Sequence, residues 1–255
     1  MQNMKLTIAL CMMISMVAVS ESRAQVLKWE DRGFININLG VQTGSHDFTE
    51  SWSPSIYGEA ASISTAHKID GGTLFDLSGG LRVWGNVGVG GGYSRFSTNE
   101  SPTVSAQIPN PLFFGRPRSA SVQAGSLDHS ESVVHLQVLY MLPASRKIDV
   151  ALSGGPSFFH VAQDLISEDI TSSLAEGAAP FSSVTITSVP IVRQKKTATG
   201  FNIGADVTYL VTQKLGAGVF LRYSAASVDL PTAGGGRVSV DVGGFQIGLG
   251  ARVRF

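Results

Sequence analysis

From Phe245 to Phe255 every second residue is apolar: Phe245, Ile247, Leu249, Ala251, Val253 and Phe255 alternate with Gln246, Gly248, Gly250, Arg252 and Arg254. A period of two puts one set on each face of a strand, so this segment predicts a ribbon with one oily and one wet side. The same pattern recurs at Phe201, Ile203, Ala205, Val207 and Tyr209, and at Leu215, Ala217, Val219, Leu221 and Tyr223. Five further segments follow it: Ile35 to Val41, Phe75 to Trp84, Val87 to Tyr93, Val134 to Leu142 and Ile148 to Phe158. The pattern therefore predicts eight strands.

The connections alternate in length. Gly85-Asn86, Pro143 to Arg146 and Thr212-Gln213 read as tight turns, whereas 44–72, 98–131, 161–197 and 225–237 read as longer polar loops. This order requires both strand termini on the short-turn side. Segments 56–68 and 184–192 also alternate weakly, which leaves room for strands projecting beyond the main sheet, or for ten strands instead of eight.

Aromatic placement separates a soluble sandwich from a membrane barrel. The outward parity puts Tyr140, Tyr209 and Phe255 at short-turn ends, and Phe75, Tyr93, Phe158, Phe201, Tyr223 and Phe245 at long-loop ends. At about 3.3 Å per residue and a tilt of roughly 40°, the two belts stand about 20 to 25 Å apart, close to the apolar band of a membrane barrel. In hydrocarbon every backbone N–H and C=O must be paired internally, so the strands must close into an antiparallel up-and-down barrel. Eight strands enclose a lumen that side chains just fill. Inward glycines at 80, 88, 90, 92, 204, 216, 218, 244, 248 and 250 leave space for inward Trp84, Phe220 and arginines.

Composition refines this picture. Of 255 residues 15% are charged, and 19 basic groups balance 19 acidic ones, which argues against a nucleic-acid partner. Lys5, the apolar run Leu6 to Val19 and Ser22-Arg23-Ala24 form an export signal over residues 1–24, with cleavage expected after Ala24. Residues 25–255 form the barrel domain. Leu10 before Cys11 disfavours a lipid anchor, and the mature chain has no cysteine and a formal charge of −1. Asp76, Arg82, Asp149, Asp206, Arg222, Arg252 and Arg254 all point inward, where buried charges require partners or water. They predict a structural charge network, or alternatively the gate of a narrow pore.

Export signal, strand meander and the terminal Leu249-x-Ala251-x-Val253-x-Phe255 together resemble the small outer-membrane β-barrel superfamily of OmpA-like, OmpX-like and OmpW-like proteins. The resemblance implies an outer-membrane location in a Gram-negative-type bacterium. It also implies that Leu249, Ala251, Val253 and Phe255 form a signal for the barrel-assembly machinery. With the sequence stopping at Phe255, no peptidoglycan-binding domain of the OmpA kind is expected.

The remaining features are read on the residues alone. Histidines 46, 67, 129, 135 and 160 are scattered and lack metal-ligand spacing, so neither metal nor cofactor is expected. Gly88 to Gly92 lacks phosphate-loop spacing and reads as strand. Asp128-His129-Ser130-Glu131 collects triad residue types, and Ser130 with His129 is the candidate pair for a lipid-modifying hydrolase. Loop 98–131 carries Pro102, Pro109, Pro111 and Pro117, which discourage sheet, and an exposed Leu112-Phe113-Phe114 flanked by Arg116 and Arg118. Arg193, Lys195 and Lys196 sit near the outer rim as candidate contacts to lipopolysaccharide phosphates. The expected role is structural or surface-interacting, the competing one a narrow channel for small or hydrophobic solutes, and the extracellular partner is left open.

Overall fold

A computed structural model describes residues 29–44 and 46–255; the expected leader lies outside the described residues. Eight strands close into one antiparallel barrel: β1 (Gly33–Thr43), β6 (Gly72–Trp84), β7 (Val87–Glu100), β10 (Leu127–Pro143), β11 (Ile148–Ile166), β14 (Ile191–Leu210), β15 (Leu215–Pro231) and β16 (Arg237–Arg254). The seam is β1 against β16, from Phe34 opposite Arg254 to Thr43 opposite Phe245. The strand count is eight, and the additional strands project above the barrel.

These projecting elements correct the loop expectation. Residues 44–72 and 98–131 supply a four-stranded sheet in the order β2 (His46–Trp52), β5 (Ser62–Ile69), β8 (Thr103–Ile108), β9 (Arg118–Gln123). Two short pairs complete it, β3 (Ser55–Ile56) with β4 (Glu59–Ala60), and β12 (Leu174–Glu176) with β13 (Val184–Ile186). The prolines bracket the ladder rather than preventing it: Pro102 precedes β8, while Pro109, Pro111 and Pro117 occupy the β8–β9 connection. Much of 161–197 and 225–237 continues the barrel strands, with β11 paired to β14 as far as Ile166 opposite Ile191.

Along the long strands the apolar residues change sides. In β16, Ile247, Leu249 and Val253 face outward and are exposed, with Gln246, Arg252 and Arg254 buried inside. Above Gly243-Gly244 the order inverts, with Val240 and Val242 buried inside and Ser239 and Asp241 outside. β11 changes between outward Phe158 and inward Phe159, β10 between Val134 and Val133, and β6 between Phe75 and Leu74. An apolar outer face below and a polar one above is the pattern of a wall that meets lipid low and water high, where the same pleat buries opposite kinds of residue. All the expected aromatic positions are exposed: Tyr140, Tyr209 and Phe255 below, and Phe75, Tyr93, Phe158, Phe201, Tyr223 and Phe245 above.

One inward expectation fails. The pairing of β6 with β7 shifts register between Arg82 and Trp84, a bulge that turns the following residue around, and Trp84 is 82% exposed.

Candidate functional site: the filled lumen and its extracellular cap

The barrel interior is built in layers. At the short-turn end Trp29, Phe34, Leu139, Met141 and Ala151 form an apolar plug. Trp29 is held by its backbone N–H, which donates to Asn86 Oδ1 (2.9 Å), and by its carbonyl, which accepts from Arg82 Nη1 (2.5 Å). Arg82 thus fastens the plug and makes no ion pair among the described residues, a departure from the expected network.

The other six charged residues do meet. Asp76 accepts from Arg222 Nη1 (2.6 Å) and from Asn38 Nδ2 (2.7 Å). Asp206 accepts from Arg252 Nη2 (2.6 Å) and Nε (3.1 Å), and Arg252 also donates to Asn38 Oδ1, which joins both pairs into one web. Arg254 pairs with Asp149 and, at 3.3 Å, with Asp31. The Arg222 guanidinium lies 5.2 Å from the centre of the Phe220 ring, so one inward aromatic fills space and faces a cation. The lumen cavities beside this web measure ≈ 30 Å³ and ≈ 10 Å³, about one water or less each.

Higher in the barrel the web is built from histidine, serine, amide and glutamate side chains. His135 bridges Ser94 Oγ (3.0 Å) and Ser157 Oγ (2.8 Å), and Asn202 donates to Ser157 Oγ (2.8 Å) while accepting from Gln137 (2.7 Å). Glu131 accepts from the Gly243 N–H (3.0 Å), and His129 contacts Glu131 (3.0 Å) and Gln163 (2.5 Å). Above this web Phe48, Ile69, Leu74, Phe96, Phe159 and Leu165 belong to an apolar core that closes the barrel from outside.

The cap is bolted to the wall by histidine and glutamate. His67 is buried, stacked on Phe48 with ring centres 4.5 Å apart, and placed between Glu100 (2.7 Å) and Glu50 (3.5 Å). Glu100 also accepts from the Lys68 N–H (2.7 Å), and Glu50 from the Ile166 N–H (3.2 Å), so one cluster joins β2, β5, β7 and β11. Burial draws the His67 proton affinity down, but hydrogen bonds to Glu100 and Glu50 and their charges outweigh it and raise its pKa above the ordinary value. At the far end Arg118 makes a two-pronged pair with Glu176 and donates to the Phe181 carbonyl (3.1 Å). That hydrogen bond with Arg118, despite partial desolvation, holds the Glu176 carboxyl below the usual carboxylate range. Asn110 Oδ1 accepts from the N–H groups of Leu112 (2.8 Å) and Phe113 (3.1 Å), which presents Leu112, Phe113 and Phe114 outward on an ordered turn.

The other candidates are placed as follows. Ser130 and His129 are neighbours on opposite faces: His129 is buried inside, while Ser130 Oγ accepts from Arg193 (3.3 Å) on the outside, so no serine–histidine pair forms. Arg193 is paired with Asp164 (3.1 Å) and Asp128 (3.8 Å), and Lys195 and Lys196 are exposed on alternate faces of β14. His67, His129 and His135 are buried and His160 is exposed. Residues Leu249, Ala251, Val253 and Phe255 line the outer face of the seam strand, and the Phe255 carbonyl accepts from the N–H groups of Arg32 (2.7 Å) and Gly33 (3.0 Å). The cap cluster carries no motif of its own in the sequence, where the weak alternation of 56–68 is its signal.

Neither a family model nor a curated protein matches this sequence. Among solved structures, the outer membrane protein OprG from Pseudomonas aeruginosa is similar at 12% identity, over 89% of this chain and 97% of that one, with a TM-score of 0.50. Neisserial surface protein A is 14% identical over 88% of this chain and 97% of its own, at a TM-score of 0.44. The outer membrane protease OmpT of Escherichia coli is 11% identical over 92% and 100%, at 0.45. Closed topology, outward apolar band and the OprG likeness agree: the fold is that of the small outer-membrane β-barrel superfamily, an eight-stranded antiparallel transmembrane barrel.

Proposed function

We propose that this protein resides in the outer membrane of a Gram-negative-type bacterium, delivered there by a cleaved leader and the barrel-assembly machinery. There it serves as a non-conducting surface-interaction protein whose barrel anchors a rigid extracellular cap. The observation that carries this reading is the lumen, closed in succession by the Trp29 plug, the Asp/Arg web and the Phe48–Phe159 core. A continuous water path is what conduction needs, and cavities of ≈ 30 Å³ and ≈ 10 Å³ do not make one. The cap offers the contact surface, with Phe114 84% exposed and Leu112 and Phe113 beside it. Planar-bilayer recording of the purified protein tests the closed lumen: no steps above baseline are expected, and stable ion-conducting steps would overturn it.

One observation favours a second reading, the lateral passage of a hydrophobic solute. Gly79 and Gly80 pair with Gly91 and Gly90, and with Gly154 and Gly155 they border a lipid-facing groove of ≈ 670 Å³ where the wall carries little side chain on either face. Uptake of an apolar solute into liposomes, abolished by Gly91→Phe, would favour this reading over the first.

A further inference from the structure

Three buried side-chain atoms on the inward face of the cap sheet have no hydrogen-bond partner among the described residues: Glu50 Oε1 on β2, and Thr65 Oγ1 and His67 Nε2 on β5. Strand pairing collects them. Glu50 lies opposite Thr65 and Phe48 opposite His67, so Glu50 and His67 are diagonal neighbours on one face. Glu50, Thr65 and His67 are sealed from water, at 0%, 0% and 2% exposure. A buried polar atom without a partner costs about 1–3 kcal/mol. Three such atoms on one patch call for a common partner.

His67 Nε2 and Glu50 Oε2 stand 3.5 Å apart, beyond the roughly 2.7–3.2 Å of an N–H···O hydrogen bond. Two atoms bound to one tetrahedral zinc ion, with bonds near 2.1 Å, stand about 3.4 Å apart. Both ligands are already oriented from behind. His67 Nδ1 lies 2.7 Å from Glu100 Oε1, which can only accept, so the neutral ring carries its proton on Nδ1 and turns the Nε2 lone pair toward Glu50. Phe48, stacked at 4.5 Å, fixes the ring plane. Glu50 Oε2 accepts from the Ile166 N–H (3.2 Å), which leaves Oε1 free. Glu100 is held in turn by the Lys68 N–H (2.7 Å) and by Gln163 Nε2 (3.3 Å). Such outer hydrogen bonds are what orients the ligands of a metal. Charge points the same way. Two carboxylates and one imidazolium sum to −1, whereas two carboxylates, a neutral ring and a divalent cation sum to zero in a site that water does not reach.

We propose that Glu50, Thr65 and His67 bind one divalent transition-metal ion of the zinc class at the junction of cap and barrel, with Glu100 orienting His67 from behind. The ligands come from β2 and β5 and their supports from β7 and β11, so the site is complete only when the cap sits on the wall. Ion and docked cap therefore stabilise one another. In the metal-free protein a proton on His67 faces the same two carboxylates. The site departs from the expectation drawn from histidine spacing, which cannot register residues brought together by strand pairing. It is independent of what the cap contacts.

Zinc titration of the metal-stripped, detergent-purified protein against a fluorescent zinc chelator tests the site, with one ion per chain expected. Glu50→Gln and His67→Asn should each weaken binding about 100-fold or more, and Glu100→Gln about tenfold. Thr65→Ser should keep the wild-type affinity and Thr65→Val lose about tenfold, while replacing the exposed His160 with asparagine changes it less than about twofold. X-ray absorption of the zinc-loaded wild type should show a single imidazole among oxygen neighbours, a readout that depends on no variant. Zinc should also raise amide protection in β2 and β5 of the wild type and not of Glu50→Gln, with heat-modifiable mobility on gels confirming that each variant keeps its barrel. Absence of stoichiometric binding, which would leave a buried water as the common partner, overturns the site. So do wild-type affinity in His67→Asn, two or more imidazoles on the bound zinc, or cap protection that does not respond to zinc.

Discussion

Replacing Asp76 with alanine removes the acceptor shared by Arg222 and Asn38 in mid-lumen. The Asp76 and Arg222 side chains are 1% and 6% exposed, so bulk water cannot take over the lost contacts. An uncompensated buried charge costs about 3–5 kcal/mol. The ≈ 30 Å³ cavity beside Arg222 admits about one water, which offsets only part of that. A loss of about 3 kcal/mol is therefore expected for Asp76→Ala, measured by urea titration of the barrel in phosphatidylcholine vesicles where folding and unfolding curves coincide. The paired replacement Asp76→Leu with Arg222→Met removes both charges at similar volume and should return to within about 1 kcal/mol of wild type. A single variant as stable as wild type, or a double variant losing the sum of both singles, would refute a dry, mutually compensated web.

Three more outcomes follow from the cap and the seam. Because the folded pKa of His67 is raised, its contribution to cap attachment is fully present below the ordinary histidine pKa and lost as pH rises through the raised value. Protection factors of the β2 and β5 amides, corrected for base-catalysed intrinsic exchange, should fall on alkaline titration, and protection that stays constant with pH, or a His67→Gln variant that keeps the same pH profile, contradicts the bolt. Arg118→Ala should speed exchange around Asn110 to Phe114 and β12–β13 by about tenfold or more without shifting barrel unfolding, since its partners all lie in the cap. Deleting Phe255 removes three backbone hydrogen bonds with Arg32 and Gly33 that finish the seam, and should lower the heat-modifiable fraction in outer membranes; wild-type levels would count against the assembly role.

The sequence made the lower barrel legible because lipid outside and packed side chains inside impose one apolar face at period two. Ile247, Leu249 and Val253 betray their strand unaided. The upper half obeys the same pleat with the faces exchanged, so Val240 and Val242 read as scattered valines in a glycine-rich stretch without the Gly243-Gly244 crossover. Trp84 defeated parity because a bulge is a register property, set by the partner strand. That Asp76 meets Arg222, 146 residues away, is likewise a consequence of pairing across the sheet. Composition alone does not encode it.

The exchange of faces also fixes how deep the protein can sit. Sinking by one row, about 5 Å along the bilayer normal for strands tilted near 40°, would submerge Arg95 in hydrocarbon, and a second row would take Ser227 and Asp241 with it on another side of the wall. Rising by the same step would lift the outer ring of Phe75, Phe158, Phe201 and Phe245 into water. Opposite penalties on either side of one level make the barrel its own plumb line, holding the cap at a set height above the lipid whatever the thickness of the leaflet around it.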